Sequence, residues 1–78
     1  MTTFERVKKC IVECAGVDEA IIVMEANLAD DIGLDSLDQV DLSIELETEF
    51  GVEISDEVIE SAFTVGDIVK AVEGLLAA

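Results

Sequence analysis

The sequence predicts an all-α fold: a small four-helix bundle in which three helices are longer and the third is short. In several segments apolar residues recur every three or four positions, as on the buried side of an amphipathic helix. Residues suited to N-capping precede these segments, and glycines follow two of them. With 78 residues, 51% of them hydrophobic, the chain can form one core, so we expect a single domain over residues 1–78.

The first helix is predicted to begin at a capping box and to end at Gly16. Thr2 and Glu5 have the spacing at which each side chain bonds the backbone N–H of the other residue. Gly16 suits the left-handed conformation that ends many helices. The core side of this helix is predicted to consist of Phe4, Val7, Ile11 and Cys14.

The connection that follows, residues 17–34, is long but not polar. Its apolar residues include Ile21, Ile22, Val23, Leu28 and Ile32. Because an unstructured loop of this length is uncommon in a compact domain, we expect the segment to pack on the core. One helical turn is predicted near residues 18–23.

The second helix is predicted over residues 36–50, between an N-cap at Asp35 and a terminator at Gly51. An advance of about 100° per residue places its apolar residues in two arcs. One arc, predicted to face the core, holds Leu42, Leu46 and Phe50. The other lies on the side of Ser36 and holds Leu37, Val40 and Ile44. Since one core stripe is enough for a bundle helix, we interpret the second arc as a partner surface; the alternative is that both arcs are buried.

The last two helices are predicted from capping signals and short apolar stripes. The third opens at residues 54–56 and runs to about Ser61, and it offers the core Val58, Ile59 and Ala62. Thr64 and Asp67 form a second capping box at the start of the fourth helix. The inner stripe of that helix is predicted to be Val65, Ile68, Val72 and Leu75, and fraying is expected for Leu76 to Ala78.

The charge is extreme and one-sided: 19 acidic residues against four basic ones give a net charge of −15. Residues 10–69 contain no basic side chain. Such a surface repels nucleic acid phosphates and anionic lipids and attracts basic protein patches. We therefore expect no nucleic acid binding, no membrane insertion and a role in docking to basic proteins.

Other residue types narrow the function further. The chain has no histidine, which excludes a Ser-His-Asp triad within it. Cys10 and Cys14 suit burial as small apolar residues better than a disulfide, and no specific metal site is predicted. An EF-hand counted from Asp31 fails at Ser36 and Leu42. The N-terminal segment does not resemble a signal peptide, so we expect a cytoplasmic protein, or one inside an organelle after removal of a targeting peptide.

Ser36 lies in the segment Gly-Leu-Asp-Ser-Leu-Asp at residues 33–38. A serine at the start of a helix is exposed and close to free backbone N–H groups. Together with the short acidic chain, the Glu-Arg-Val-Lys-Lys start at 5–9 and Gly-Val-Glu-Ile at 51–54, this motif resembles the acyl carrier proteins over the full length of the sequence. The alternative from the residues alone is that Ser36 only caps a helix.

The resemblance implies a carrier of type II fatty acid synthesis. Ser36 would bear a covalent 4′-phosphopantetheine arm from coenzyme A, flanked by Asp35, Leu37 and Asp38, and the thiol of the arm would hold a growing acyl chain as a thioester. The docking face implied for partner enzymes consists of Leu37, Asp38, Val40, Asp41, Ile44, Glu47 and Glu49. The implied pocket for shorter acyl chains is lined by Leu46, Ile54, Ile59 and Ala62.

The implied partners are a phosphopantetheinyl transferase and fatty acid synthesis enzymes with basic docking patches. We expect a monomer without catalytic activity of its own. Two alternatives stay open: a carrier for a polyketide or other specialised acyl pathway, and an unmodified structural subunit of a larger complex. Two positions depart from common family residues: Ser55 stands where proline is usual, and Ile44 where methionine is frequent. We expect Ser55 to cap the third helix.

Overall fold

Four α-helices and one short 3-10 turn make up the fold. The structure is a computed structural model that describes residues 1–77. Its elements are α1 (Thr3–Ala15), the 3-10 turn (Glu19–Ile21), α2 (Ser36–Phe50), α3 (Asp56–Ser61) and α4 (Val65–Ala77). The predicted all-α bundle of three longer helices and a short third helix is confirmed.

Local capping chemistry sets the boundaries of α1 and α2. Thr2 and Glu5 form the predicted capping box at the start of α1, and Asp35 and Asp38 form another at the start of α2. Both helices end at glycines with positive φ, 68° at Gly16 and 67° at Gly51. This left-handed conformation is one that residues with a Cβ rarely adopt.

The starts of α3 and α4 differ in how well they are capped. At α4, the Thr64 hydroxyl accepts a bond from the Asp67 N–H, and Asp67 Oδ2 accepts bonds from the N–H groups of Phe63 and Thr64. These two backbone bonds lower the pKa of Asp67. Ser55 is the N-cap residue of α3, as expected, but its side chain makes no capping hydrogen bond.

The core lies where α1, α2 and α4 meet. It is aliphatic, and its most deeply buried side chains include Val7 and Ile11 of α1, Leu42 and Leu46 of α2, and Val65, Ile68 and Val72 of α4. The predicted core stripes are therefore largely confirmed. Phe4 and Cys14 are half-buried at the edge of the core.

The end of α4 departs from the prediction. Leu75 was expected on the inner stripe but is 36% exposed. Leu76 and Ala77, which were expected to fray, continue the helix, and Ala78 lies outside the described residues. The last turn of α4 thus extends past the elements that it packs against, and its side chains remain in contact with solvent.

The connection between α1 and α2 packs on the core, as expected, but only in part. Ile22, Leu28 and Ile32 are buried, whereas Ile21 and Val23 are exposed. The expected helical turn is the 3-10 turn at Glu19–Ile21.

Backbone bonds tie this connection to the start of α4. The Leu28 N–H donates to the Phe63 carbonyl at 2.9 Å, the Val65 N–H to Ala26 at 3.1 Å, and the Gly66 N–H to Met24 at 2.9 Å. Asn27 and Thr64 form an isolated antiparallel bridge between the same two segments. The loop therefore has a defined course, since its backbone groups are bonded to a second segment.

Polar contacts join α1 to α2 around the core. Arg6 Nε lies 2.9 Å from Glu49 Oε2, its guanidinium also donates to the Glu49 carbonyl at 2.8 Å, and it stacks over the Phe50 ring at 4.3 Å. The hydrogen bond from Arg6 lowers the pKa of Glu49. These contacts anchor the C-terminal turn of α2 to α1.

The two cysteines lie along the same α1–α2 contact. Their thiols approach α2 carbonyl groups, Cys10 Sγ at 3.8 Å from that of Glu45 and Cys14 Sγ at 3.2 Å from that of Asp38. Burial, together with nearby carboxylates, raises the pKa of each thiol to about 11. Both cysteines are free thiols in the structure.

Truncating a side chain should have a large effect on stability at the buried face of α2 and a small effect at its exposed face. Leu46→Ala should lower the free energy of unfolding by about 2–5 kcal/mol, because Leu46 is buried and the change leaves a cavity. Ile44→Ala, two residues away on the exposed face, should change it by less than about 0.5 kcal/mol. Urea unfolding followed by circular dichroism measures both values. Equal losses for the two variants would contradict the assignment of the faces.

The lowered pKa of Asp67 predicts a pH-dependent contribution to stability. The ionised carboxylate stabilises the fold at pH values above its ordinary pKa of 3.8, and this contribution is lost as the pH falls through the lowered folded-state pKa. Asp67→Asn, which resembles the protonated side chain, should therefore lower the melting temperature at neutral pH. Its difference from the wild type should disappear in acid.

The control is Glu73→Gln, since the exposed Glu73 side chain makes no hydrogen bond within residues 1–77. That variant should show no comparable convergence with the wild type. A constant difference between Asp67→Asn and the wild type from neutral to acidic pH would exclude the proposed role of the charge.

Candidate functional site

Ser36 is the first residue of α2, and its side chain is exposed. The preceding loop holds it in place. Gly33 has a φ of 83°, which allows the turn, and Leu34 is buried with its N–H bonded to the Leu28 carbonyl at 2.9 Å. The hydroxyl of Ser36 therefore projects from a fixed backbone into solvent.

The two carboxylates beside Ser36 are engaged with the backbone. Asp35 Oδ1 accepts the Asp38 N–H at 2.9 Å, and Asp38 Oδ2 accepts the Asp35 N–H at 3.3 Å. Asp35, and not Ser36, is the N-cap residue. The interpretation in which Ser36 only caps the helix therefore fails, because its hydroxyl is left free of that role.

The first turn of α2 offers donors for an anion attached to Ser36. Within residues 1–77, the backbone N–H groups of Ser36 and Leu37 donate no hydrogen bond. The partial positive charge of a helix N-terminus adds to their attraction for a negatively charged group. A phosphate ester on the Ser36 hydroxyl would lie close to these donors.

The arc of α2 on the side of Ser36 is exposed, as predicted. The exposed fractions are 70% for Leu37, 43% for Val40 and 55% for Ile44. Asp41 is exposed among them. The alternative in which both apolar arcs of α2 are buried is therefore wrong.

Besides Asp38, two more of the acidic residues assigned to the docking face make bonds within the chain. Glu47 Oε2 accepts the Ile54 N–H at 3.1 Å and so holds the loop before α3. Glu49 is paired with Arg6 and lies 3.7 Å from Lys9 Nζ. Their carboxylates are thus less available than that of Asp41, and their role in docking stays a prediction.

A small cleft lies beside Ser36, between α2 and α3. It has a volume of about 110 Å³ and is lined by Ser36, Gln39, Val40, Asp56, Ile59 and Glu60. Sequence reasoning missed Gln39, Asp56 and Glu60, because nothing in the sequence shows that α3 packs next to the start of α2. The cleft has apolar side chains together with polar groups that can bond a ligand.

The four acyl-pocket candidates differ in where they lie. Leu46, Ile54 and Ile59 are buried in the core, and only Ile59 lines the cleft beside Ser36. Ala62 lies on a different groove, between α3 and α4. The grouping of all four residues in one acyl pocket stays a prediction.

Ser43 is a buried polar residue that sequence analysis did not single out. Its hydroxyl donates to the Val40 carbonyl at 2.7 Å and lies 3.4 Å from Asp56 Oδ1. A hydroxyl has one hydrogen to donate, and the shorter distance identifies the Val40 bond as the stronger one. The approach to Asp56 places a polar contact between α2 and α3 at the cleft.

A protein-family model described as "Phosphopantetheine attachment site" matches residues 5–72 of the chain. The match covers most of the chain. The chain belongs to this family. It is thus a carrier of the acyl carrier protein type, and proteins of this family hold a 4′-phosphopantetheine group covalently.

The residues of this family member fit the group. An exposed hydroxyl can form the phosphodiester, two free N–H groups lie nearby, and a cleft begins beside the serine. When attached, the arm supplies a terminal thiol that can hold an acyl group as a thioester. Membership also implies contact with a phosphopantetheinyl transferase and with acyl-processing enzymes.

No helix in residues 1–77 is long and apolar enough to cross a membrane.

Two substitutions of Asp35 should separate the effect of its capping hydrogen bond from the effect of its negative charge. Asp35→Ala should lower the free energy of unfolding by about 1 kcal/mol, because the Asp38 N–H loses its acceptor. Asp35→Asn keeps an acceptor and should retain stability to within a few tenths of a kcal/mol, while it removes the charge. Urea unfolding measures the free energy that the capping hydrogen bond contributes. The rate at which a phosphopantetheinyl transferase attaches the arm measures the effect of the charge. Equal destabilisation by both substitutions would contradict the capping role.

Proposed function

We propose that this protein carries acyl chains as thioesters on a 4′-phosphopantetheine arm attached to Ser36, and that it delivers them to separate enzymes of fatty acid biosynthesis. The observation that supports this most directly is the exposed Ser36 hydroxyl at the start of α2, with free N–H groups beside it. Family membership supports the presence of a phosphopantetheine arm. The position of Ser36 in the Asp-Ser-Leu-Asp segment supports this serine as the residue to which the arm is attached.

The exposed arc of α2 is proposed as the docking face for the partner enzymes. Its apolar side chains, Leu37, Val40 and Ile44, can fill hydrophobic depressions, while Asp38 and Asp41 flank them with negative charge. An enzyme with a basic patch beside its active site would be attracted over a distance of several ångströms. Docking there would bring the residue that bears the arm next to the enzyme.

The dense acidic residues after Ser36 favour fatty acid synthesis over other carrier pathways. Eight acidic residues and no basic residue lie between Ser36 and Glu57, counting Glu57 itself. Carriers of peptidyl and aryl groups resemble this chain around the serine but are usually less acidic. A polyketide carrier remains the alternative within the family. We propose that the chain catalyses no reaction itself and acts as the substrate of its partners.

The cleft beside Ser36 is proposed as the place where part of the arm or a short acyl chain lies. Its volume is about 110 Å³. Ile59, only 1% exposed, lines the inner side of the cleft. A longer chain would have to displace Ile59 to enter the core, so this residue is proposed to limit the length of cargo that is buried.

The attachment of the arm is tested by intact mass spectrometry after incubation with coenzyme A and a broad-specificity phosphopantetheinyl transferase. The wild type should gain one phosphopantetheine, and Ser36→Ala should gain none. Ser55→Ala is the matched control, because it removes another exposed serine hydroxyl and should still be modified.

Circular dichroism establishes that each variant is folded before the comparison. A folded wild type that gains no mass would overturn the carrier proposal and favour the unmodified structural subunit. Modification that persists in Ser36→Ala would place the arm on another residue.

A further inference from the structure

A groove between α3 and α4 lies outside the site described above. Its volume is about 480 Å³, and it is shallow and open to solvent. Val58, Ala62 and Ala71 provide its apolar lining, and Glu57 and Asp67 provide its acidic residues. The small side chains of Ala62 and Ala71 leave space into which a larger apolar side chain could fit.

Phe63 is next to this groove and is unusually exposed for its type. Its exposed fraction is 71%, whereas Phe50 is buried and Phe4 packs against the core. It follows Ala62 directly, and its N–H donates to Asp67 Oδ2, so two residues that line the groove adjoin it. A large exposed aromatic side chain beside a partly apolar groove is typical of a protein interface.

The Phe63 backbone is fixed on both sides. Its N–H is bonded to Asp67 at 2.9 Å, and its carbonyl accepts the Leu28 N–H at 2.9 Å. No ordering of this backbone is needed when a partner binds, which reduces the entropic cost of association. The exposed ring is thus presented by a preorganised segment, not by a free loop.

The charge around the groove indicates which partner it can accept. The lining contains two carboxylates and no basic side chain. Lys70 of α4 lies outside the lining, but its positive charge helps to lower the pKa of Asp67. A net charge of −15 opposes association with a second copy of this chain and with an anionic membrane. Lysine and arginine side chains would be attracted to this surface, and arginine can also stack on Phe63.

We propose that the α3–α4 groove and Phe63 form a second docking surface, which binds a basic amphipathic helix of a partner protein. The apolar side of that helix would contact Phe63 and the groove, and its basic residues would face Glu57 and Asp67. This groove and the cleft beside Ser36 lie along different sides of α3, since Val58 and Ala62 line the groove while Ile59 and Glu60 line the cleft. A partner bound here leaves the Ser36 hydroxyl accessible. The proposal does not depend on attachment of the arm.

The test uses the full chain and a synthetic peptide of about 14 residues, equivalent to about 21 Å of helix. The peptide carries leucines at positions i, i+3, i+4 and i+7 and lysines or arginines elsewhere, and a scrambled peptide of the same composition is the control. Two-dimensional NMR of the ¹⁵N-labelled protein should show shifts of the Val58, Ala62, Phe63 and Ala71 amides. Their saturation gives the dissociation constant for this surface.

Phe63→Ala should weaken binding at these amides at least tenfold. Ile21→Ala is the control, because Ile21 is an exposed apolar residue, 43%, of the 3-10 turn that lines neither the groove nor the cleft beside Ser36, and it should leave binding at the groove unchanged. Both substitutions affect exposed side chains, so both variants should fold. Raising the salt concentration should weaken binding, since the basic residues contribute.

Any of four results would overturn the proposal. Shifts confined to residues 36–49 would assign peptide binding to the α2 face alone. An unchanged dissociation constant in Phe63→Ala, or equal binding of the scrambled peptide, would show that the groove is not a specific site. Shifts of Phe63 on concentrating the protein without peptide would identify a second copy as the occupant. Each of these measurements is made on protein without the arm, so the result is independent of whether Ser36 is modified.

Discussion

The packing of α2 against α1 is the contact on which the rest of the structure depends. Leu42 and Leu46 are completely buried there, and Arg6 and Glu49 bond across the same interface. Because one side of α2 is held in this way, its other side must face solvent. The helix rotation that buries Leu46 thus also exposes Ser36 and the apolar arc beside it. Stability and function are therefore assigned to opposite faces of a single helix, and a residue on one face can change without disturbing the other.

Electrostatic repulsion among the carboxylates opposes this fold. With 19 acidic residues and four basic ones, most carboxylates have no basic partner to offset their repulsion. The chain uses some of them to satisfy backbone N–H groups, as Asp35, Glu47 and Asp67 do. This use has a consequence for recognition, since a carboxylate bonded to the backbone is held in place. A partner would meet carboxylates held by backbone bonds together with exposed ones such as that of Asp41, which makes no hydrogen bond within residues 1–77.

The short helix α3 occupies a position between two candidate binding regions. It has six residues, no side-chain cap at Ser55 and a single buried residue, Ile59. Such an element has few interactions that resist its displacement, and low local stability is common where ligands enter. The cleft beside Ser36 and the groove next to Phe63 both have walls formed by this helix. A displacement of α3 would change both regions together, which gives the two faces of the protein a physical connection.

The sequence by itself determined the helices and pointed to Ser36 as the candidate attachment residue. Caps such as Thr2 with Glu5, and terminators such as Gly16, act within a few residues, so the bounds of α1 and α2 could be predicted closely. Only the tertiary structure decided which side chains meet. It buried Ser43, paired Glu49 with Arg6, separated Ile59 from Ala62 on two sides of α3, and left Phe63 exposed. The physical reason is that caps and helical periodicity are local, whereas burial and ion pairing depend on which distant segments pack together.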